Sequence, residues 1–174
     1  REYDEQGVID YYDSNATGLK YNFSKFFNNF SYGYGSEYRH DSGDFQNNGS
    51  YSASTKGNYD NISIYGNLGY NLFDNTQLSL FLRNDENKQA GSNRSNKINL
   101  EQKIKLFNIG IGRNEGFRNP TIYELYGTDS FGYSGNKNLK AEKSVSNEIY
   151  METNFSNKFS ASIRGFRTNI NDQI

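Results

Sequence analysis

The residues able to do chemistry fall into two groups. The first segment, REYDEQGVIDYYDSNAT, crowds Asp4, Glu5, Asp10 and Asp13 between Tyr3, Tyr11 and Tyr12. Calcium takes about six to eight oxygen ligands, largely carboxylates and carbonyls. Asp4, Asp10 and Asp13 are therefore candidate metal ligands. Their spacing is not that of an EF-hand loop, and the competing reading is a solvated acidic loop over Arg1 to Thr17. The second group lies in EGFRNPTIYELYGTDSFGYSGNKNLKAEKS, Glu115 to Ser144. Here Tyr126, Phe131 and Tyr133 offer large rigid contact surface, and Asn136 and Asn138 offer polar contacts, the chemistry of a small-molecule site. The competing reading is that the rings pack on one another or anchor at an interface. Neither group makes or breaks bonds. Cysteine is absent and the one histidine, His40, has no serine nucleophile motif near it. The chain is read as a non-enzyme with no required cofactor, a structural calcium being the one ion the sequence suggests.

These groups must be positioned by strands. The chain is 33% hydrophobic with mean hydropathy −0.94, values that suggest disorder, yet 16% of it is aromatic, with 15 Tyr and 13 Phe. Alternating strands with one wet face reconcile these numbers. Leu19, Tyr21 and Phe23 share a face, as do Phe30, Tyr32, Tyr34, Ser36 and Tyr38. Ile62, Ile64, Leu68, Tyr70 and Leu72 follow, then Leu78, Leu80 and Leu82, then Ile98, Leu100, Gln102 and Ile104, then Phe107, Ile109 and Ile111. After Ser144 come Val145, Asn147, Ile149, Met151, Thr153 and Phe155, then Phe159, Ala161, Ile163 and Gly165. This makes eight strands in four hairpins, with polar loops over His40 to Asn58 and Asn84 to Ser95 and short turns at the opposite end. Within Glu115 to Ser144, Asn119 reads as an N-cap, Pro120 as the first residue of one helical turn, and Gly127 as its end.

The charges decide which face is wet. The apolar faces named above carry no Asp, Glu, Lys or Arg, whereas the opposite faces carry Glu37, Arg39, Arg83, Glu101, Lys103, Glu148, Glu152 and Arg164. A charge facing lipid costs roughly 2–4 kcal/mol at the midplane for Arg or Lys. Short turns at one end, long loops at the other and rings near the strand ends fit a transmembrane barrel. Alternation by itself also fits a soluble all-β binding module, and mixed lumen charges also fit a passive porin. The net charge of −1 and the absence of a basic run argue against nucleic acid as a partner.

Gly116-Phe117-Arg118-Asn119-Pro120, Tyr123-Glu124-Leu125-Tyr126-Gly127 and Gly135-Asn136-Lys137-Asn138-Leu139 with Glu142-Lys143-Ser144 resemble, in order and spacing, the barrel signature of TonB-dependent outer-membrane receptors. The departures are Asn119 for alanine and Lys137 and Ala141 for proline. The resemblance implies an all-β, antiparallel, up-and-down transmembrane barrel in the bacterial outer membrane. Residues 1–174 would be an eight-stranded part of a barrel of roughly 22 strands. No signal peptide, plug domain or terminal aromatic assembly signal is recognisable in the sequence. It implies energy from the TonB complex, reached through a plug domain, contact with outer-membrane lipid, and active transport of a scarce, bulky nutrient. Tyr12-Asp13-Ser14-Asn15-Ala16-Thr17 and the Tyr126-Gly127 loop look most like the cobalamin transporters, in which calcium held by loop aspartates orders the substrate site. Asp4 and Asp13 sit where that pattern places such ligands. A ferric siderophore or haem receptor is the alternative within the family.

Overall fold

The computed structural model describes residues 2–4, 7–47, 52–156 and 159–174. They form strands β1 (Glu2–Asp4), β2 (Gly7–Phe26), β3 (Phe30–Asn47), β4 (Ala53–Phe73), β5 (Thr76–Asn87), β6 (Gly91–Ile104) and β7 (Phe107–Arg118). Helix α1 (Ile122–Tyr126), β8 (Thr128–Asp129), β9 (Glu142–Ser156) and β10 (Phe159–Asn171) follow. All strands join one antiparallel sheet in the order β1-β2-β3-β4-β5-β6-β7-β9-β10, with β8 attached to β4. The eight long strands are those expected.

The two faces also separate as expected. On one lie Leu19, Ile62, Ile64, Leu82, Ile111, Ile149 and Ile163, all exposed. Val145, Met151 and Ile163 share that face with Ile149, while Arg164 on the other reaches Glu148 and Glu152 at 3.3 and 3.4 Å. The charged face is the inner one. There Arg83 contacts Glu37 at 3.1 Å and Asp85 at 2.8 Å, and Ser63 and Asp85 are almost wholly buried. Gly35 leaves room for the Tyr65 ring, which a Cβ on Gly35 would meet at 2.6 Å. Large apolar side chains turned out and polar ones turned in are the reverse of a soluble sandwich and suit a barrel wall.

The outer apolar band ends upward at His40 on β3, Asp60 on β4, Asn84 on β5, Asn96 on β6, Arg113 on β7, Asn147 on β9 and Arg167 on β10, with Phe117 on β7 and Val145 on β9 lying above it. These residues do not share one row of the sheet. His40 pairs with Asp60, but Asn84 pairs with Ile64, Asn96 with Leu82 and Arg113 with Ile98. From there the edge follows the rows, Arg113 with Asn147 and Asn147 with Arg167. Every slip runs the same way. At about 3.4 Å per residue and 4.8 Å per strand, a slip of about eight residues between β3 and β10 means strands tilted by roughly 40°. That tilt is the one transmembrane barrels adopt. The band edge, read from side chains alone, thus reproduces the inclination of a bilayer boundary.

Three expectations are corrected. Residues 7–17 are not a loop but the upper part of β2, paired with β3 from Asp10 to Phe26. His40 to Asn47 and Ala53 to Asn58 are likewise paired strand rather than loop; residues 48–51 lie outside the description. The supposed loop from Asn84 to Ser95 is mostly strand, closed by a tight turn in which Asn87 Oδ1 accepts from the backbone of Gln89 at 3.0 Å and Ala90 at 2.8 Å. The first two share a reason. A strand needs about 9–11 residues to cross a bilayer, while β2, β3 and β4 run for 20, 18 and 21. Their upper halves have water outside in place of lipid and so lose the apolar contrast that marks a strand.

Candidate functional site

β7 delivers Arg118 to the inner face at the top of the wall. Its guanidinium grips Glu124 at 3.0 Å and Glu142, its partner across the strand pair, also at 3.0 Å. The Arg118 contact, helped by the backbone N–H of Ile174, holds the Glu142 carboxyl at about 2, below its ordinary 4.5. Glu124 is lowered by the same guanidinium. The helix N-cap is Thr121 rather than Asn119, and Pro120 lies buried ahead of it instead of opening the helix. A capping box decides this: the Thr121 hydroxyl accepts from the Glu124 N–H at 3.2 Å, and the Glu124 carboxylate accepts from the Thr121 N–H at 2.7 Å. Gly127 ends the helix as expected, its N–H donating to Tyr123 O at 2.7 Å.

From this clamp the segment crosses the lumen side of the sheet. It passes β6 and β5 and docks on β3 and β4. Gly43 and Gly57 pair across those strands, and together they form the seat for α1. A Cβ on Gly43 would lie 3.4 Å from Ile122, and one on Gly57 only 2.5 Å from the Tyr126 ring. β8 then pairs with β4, Asp129 opposite Ala53 and Thr128 opposite Ser54. The return segment folds over the helix, with Gly135 N–H donating to Gly127 O at 2.7 Å and Asn136 N–H to Glu124 O at 2.9 Å. Leu125 and Ala141 are the buried apolar residues beneath this brace, each 2% exposed.

Between the brace and the upper inner wall of β2, β3 and β4 lies a cleft of about 660 Å³. Tyr12 and Phe45, rings 4.6 Å apart, form one side, with Tyr59, Ile122 and Tyr123 also lining it. Arg39 supplies a guanidinium, held by Asp41 at 2.8 Å. Thr55 is 6% exposed, lines the cleft, and its hydroxyl has no hydrogen-bond partner. A buried hydroxyl left unpaired is costly. Rings and the Arg39–Asp41 ion pair form a binding surface.

The residues singled out from sequence divide. Tyr126 points inward onto Gly57, with Lys137 over its ring at 5.5 Å. Tyr133 stacks on Tyr123, centroids 5.0 Å apart and planes within 1°. Phe131 stands at the loop tip, 76% exposed. Asn136 accepts from the N–H of Asn138 at 2.9 Å, so its side chain shapes the turn. Asp10 is buried against Asn47, whereas Asp13 takes the Tyr11 hydroxyl at 3.3 Å. Three positions apart on one strand, Asp10 and Asp13 face opposite sides of the sheet; the Asp4 side chain lies outside the description. Among the described residues no three His, Cys, Asp or Glu side chains gather as a metal site. Tyr12, Phe45, Thr55 and Tyr59 were missed. Their signal was alternation in the stretches read as loops, with Tyr12 and Phe45 on the face opposite to that of the apolar residues lower on the same strands.

The whole chain, residues 1–174, matches the family described as TonB dependent receptor-like, beta-barrel. No curated protein sequence matches it. Among solved structures, the ferric enterobactin receptor PfeA from Pseudomonas aeruginosa, in complex with enterobactin, superposes with a TM-score of 0.73 at 18% identity, over 96% of this chain and 28% of that one. The siderophore receptor PirA from Acinetobacter baumannii gives 0.69 at 19% identity, over 94% and 28%. The copper transporter OprC gives 0.74 at 14% identity, over 92% and 31%. The chain thus spans under a third of the length of these structures.

Proposed function

The chain belongs to the TonB dependent receptor-like β-barrel family, a family of outer-membrane transport receptors, and on that premise we propose that it forms part of the wall and outer vestibule of a receptor that captures a metal chelate for active import. The carrying observation is the cleft beneath the brace, which is lined by aromatic rings and by the Arg39–Asp41 ion pair. A ferric siderophore is favoured over cobalamin because the similar structures include receptors described for enterobactin and siderophores. Cobalamin, suggested by the first segment, is the second reading. The rest of the barrel and a plug domain coupled to TonB would belong to the longer protein.

The test is equilibrium binding by full-length receptor in detergent, with ferric enterobactin and cyanocobalamin as separate probes, in wild type and Phe45→Ala. Tight binding of the ferric probe, weakened about tenfold by the variant, supports the reading. Tight binding of cyanocobalamin alone transfers it to the second reading. A calcium ion would have to draw on Asp4 and on loops beyond this chain, since β2 sends Asp10 and Asp13 to opposite faces. Titration with calcium and with chelator, in wild type and Asp13→Ala, tests it; equal affinities throughout remove the metal.

A further inference from the structure

Side-chain bonds on the inner face of the lower wall skip strands. Tyr65 on β4 reaches across β3, and its hydroxyl donates to Asn22 Oδ1 on β2 at 2.6 Å. Arg83 on β5 reaches across β4, and its Nη1 donates to Glu37 Oε2 on β3 at 3.1 Å. Tyr150 on β9 reaches across β7. Its hydroxyl donates to Glu101 Oε2 on β6 at 2.8 Å and accepts from Asn99 Nδ2 at 3.1 Å. A small residue lies beneath each link. A Cβ on Gly35 would meet the Tyr65 ring at 2.6 Å, and one on Gly110 would overlap the Tyr150 ring. Ser63, fully buried, lies under Arg83 and accepts from its Nη2 at 2.8 Å. The two tyrosine links are built alike. Each follows one row of the sheet, Asn22–Gly35–Tyr65–Arg83 in the first and Glu101–Gly110–Tyr150–Arg164 in the second. In both, the guanidinium from the next strand lies over the ring, Arg83 at 5.6 Å and Arg164 at 5.2 Å from the centroid. Two carboxylates hold each guanidinium, Glu37 and Asp85 for Arg83, Glu148 and Glu152 for Arg164.

Strands two apart lie about 9.6 Å from each other. On a flat face their side chains stand parallel, whereas on a concave face they lean together. A direct bond across a skipped strand therefore belongs to a concave wall, and it resists flattening as a chord resists the opening of its arc. Strand number and stagger fix a barrel's mean diameter, yet a wall of that diameter is still free to become oval. The ladder between neighbouring strands follows such a bend, while a strand-skipping link is stretched by it. Two of the links, Arg83 to Glu37 and Tyr150 to Glu101, end on a carboxylate, which makes them the stronger kind of hydrogen bond. We propose that these links are ties that hold the lumen wall at its curvature, a conformational device that keeps the shape of the lumen whatever occupies it. The glycines at 35 and 110 are what let the tyrosines cross. The proposal rests on the barrel placement of the sheet and is independent of the transported substrate.

Dipolar spin-label spectroscopy of full-length receptor in liposomes reads the curvature. Labels at Phe23→Cys on β2 and Leu82→Cys on β5 end the outer row Phe23–Tyr34–Gly66–Leu82, which backs the first tied row. Three strand spacings put these positions about 14 Å apart. With the ties intact the distance distribution is expected to be narrow. The Tyr65→Phe, Glu37→Ala double variant is expected to broaden it about twofold or more, as the wall gains freedom to flatten. Tyr65→Phe alone, which keeps the ring over Gly35, is expected to fall between the two. Asn61→Ala removes a bond between the neighbouring strands β4 and β5, to Asp85 at 2.8 Å, and is expected to leave the width unchanged. Heat-modifiable mobility on gels identifies the folded fraction of each variant. Equal width and mean with and without the ties would overturn the proposal, and so would equal broadening by Asn61→Ala.

Discussion

The lower and upper halves of β3 share one continuous backbone but put their rings on opposite sides. Below the band edge Phe30, Tyr32, Tyr34 and Tyr38 point outward and Gly33, Gly35 and Glu37 inward. Above it the outward positions are His40, Ser42 and Asp44, and the ring, Phe45, points inward to the cleft. The neighbours repeat it in part, since Tyr65 on β4 stays inward below the edge and Tyr11 on β2 outward above it. β2 turns Tyr21 and Phe23 out but Tyr12 in, and β4 turns Ile62 and Ile64 out but Tyr59 in. No bulge interrupts the pairing of β3 with either neighbour, so the exchange is written in the side chains and not in the backbone. The solvent explains it. Where lipid lies outside, the outer face must be apolar; where water lies outside, rings are best buried against the brace and whatever binds there.

The sharpest way to break this comparison is to place a charge on each side of the lower wall. Leu68→Arg, on the outer face, is expected to cost about 2–4 kcal/mol, and Asn67→Arg, next to it on the inner face, well under about 1 kcal/mol. Denaturant titration of full-length receptor refolded into liposomes measures both. Equal costs would mean that neither face sees lipid.

The next largest effect concerns the brace. Gly57→Leu drives a side chain into the space of the Tyr126 ring. The barrel is expected to fold normally while substrate binding falls at least about tenfold, as α1 loses its seat. Wild-type affinity in this variant would detach the brace from the vestibule.

Much of the lower wall could be read in the sequence because lipid imposes a period of two with no charged exceptions. The band from Phe30 to Tyr38 and the charges at Glu148, Glu152 and Arg164 were legible for that reason. The upper strands were not, because Ser42, Gly43, Asp44 and their partners Asn58, Gly57 and Lys56 look alike on both faces. The cleft was hidden for a further reason: Tyr12, Phe45 and Tyr123 lie far apart in sequence and meet only because Gly43 and Gly57 admit α1 to the wall. The loop signature around Arg118 was plain, but its partners were not. That Glu124 and Glu142 share one guanidinium follows from the strand pairing of β7 with β9.

That clamp gives a smaller, pH-dependent effect. A carboxyl held at about 2 in place of 4.5 contributes stability above the higher value and loses it as pH falls toward the lower. Proteolytic nicking of residues 119–141 is therefore expected to rise as the pH drops through this window, with an acid-active protease, and to be high already at neutral pH in Arg118→Gln. Nicking that ignores both pH and the variant would mean that the clamp does not hold the brace. Smallest of all is the hairpin between β6 and β7, where Lys105 has φ 54°. Lys105→Gly is expected to stabilise by roughly 0.5–1 kcal/mol, since glycine takes this conformation without strain.

The exchange of faces at the band edge is the central claim, and the chain is ready for its test because it contains no cysteine. Single cysteines at Tyr34, Ile64, Ser42 and Phe45, spin-labelled in full-length receptor in liposomes, report access to oxygen, which concentrates in lipid, and to a water-soluble nickel chelate. The account predicts oxygen access at 34 and 64, nickel access at 42, and nickel access at 45 that falls when substrate is added. Oxygen-dominated access at 45, or nickel-dominated access at 34, would contradict it.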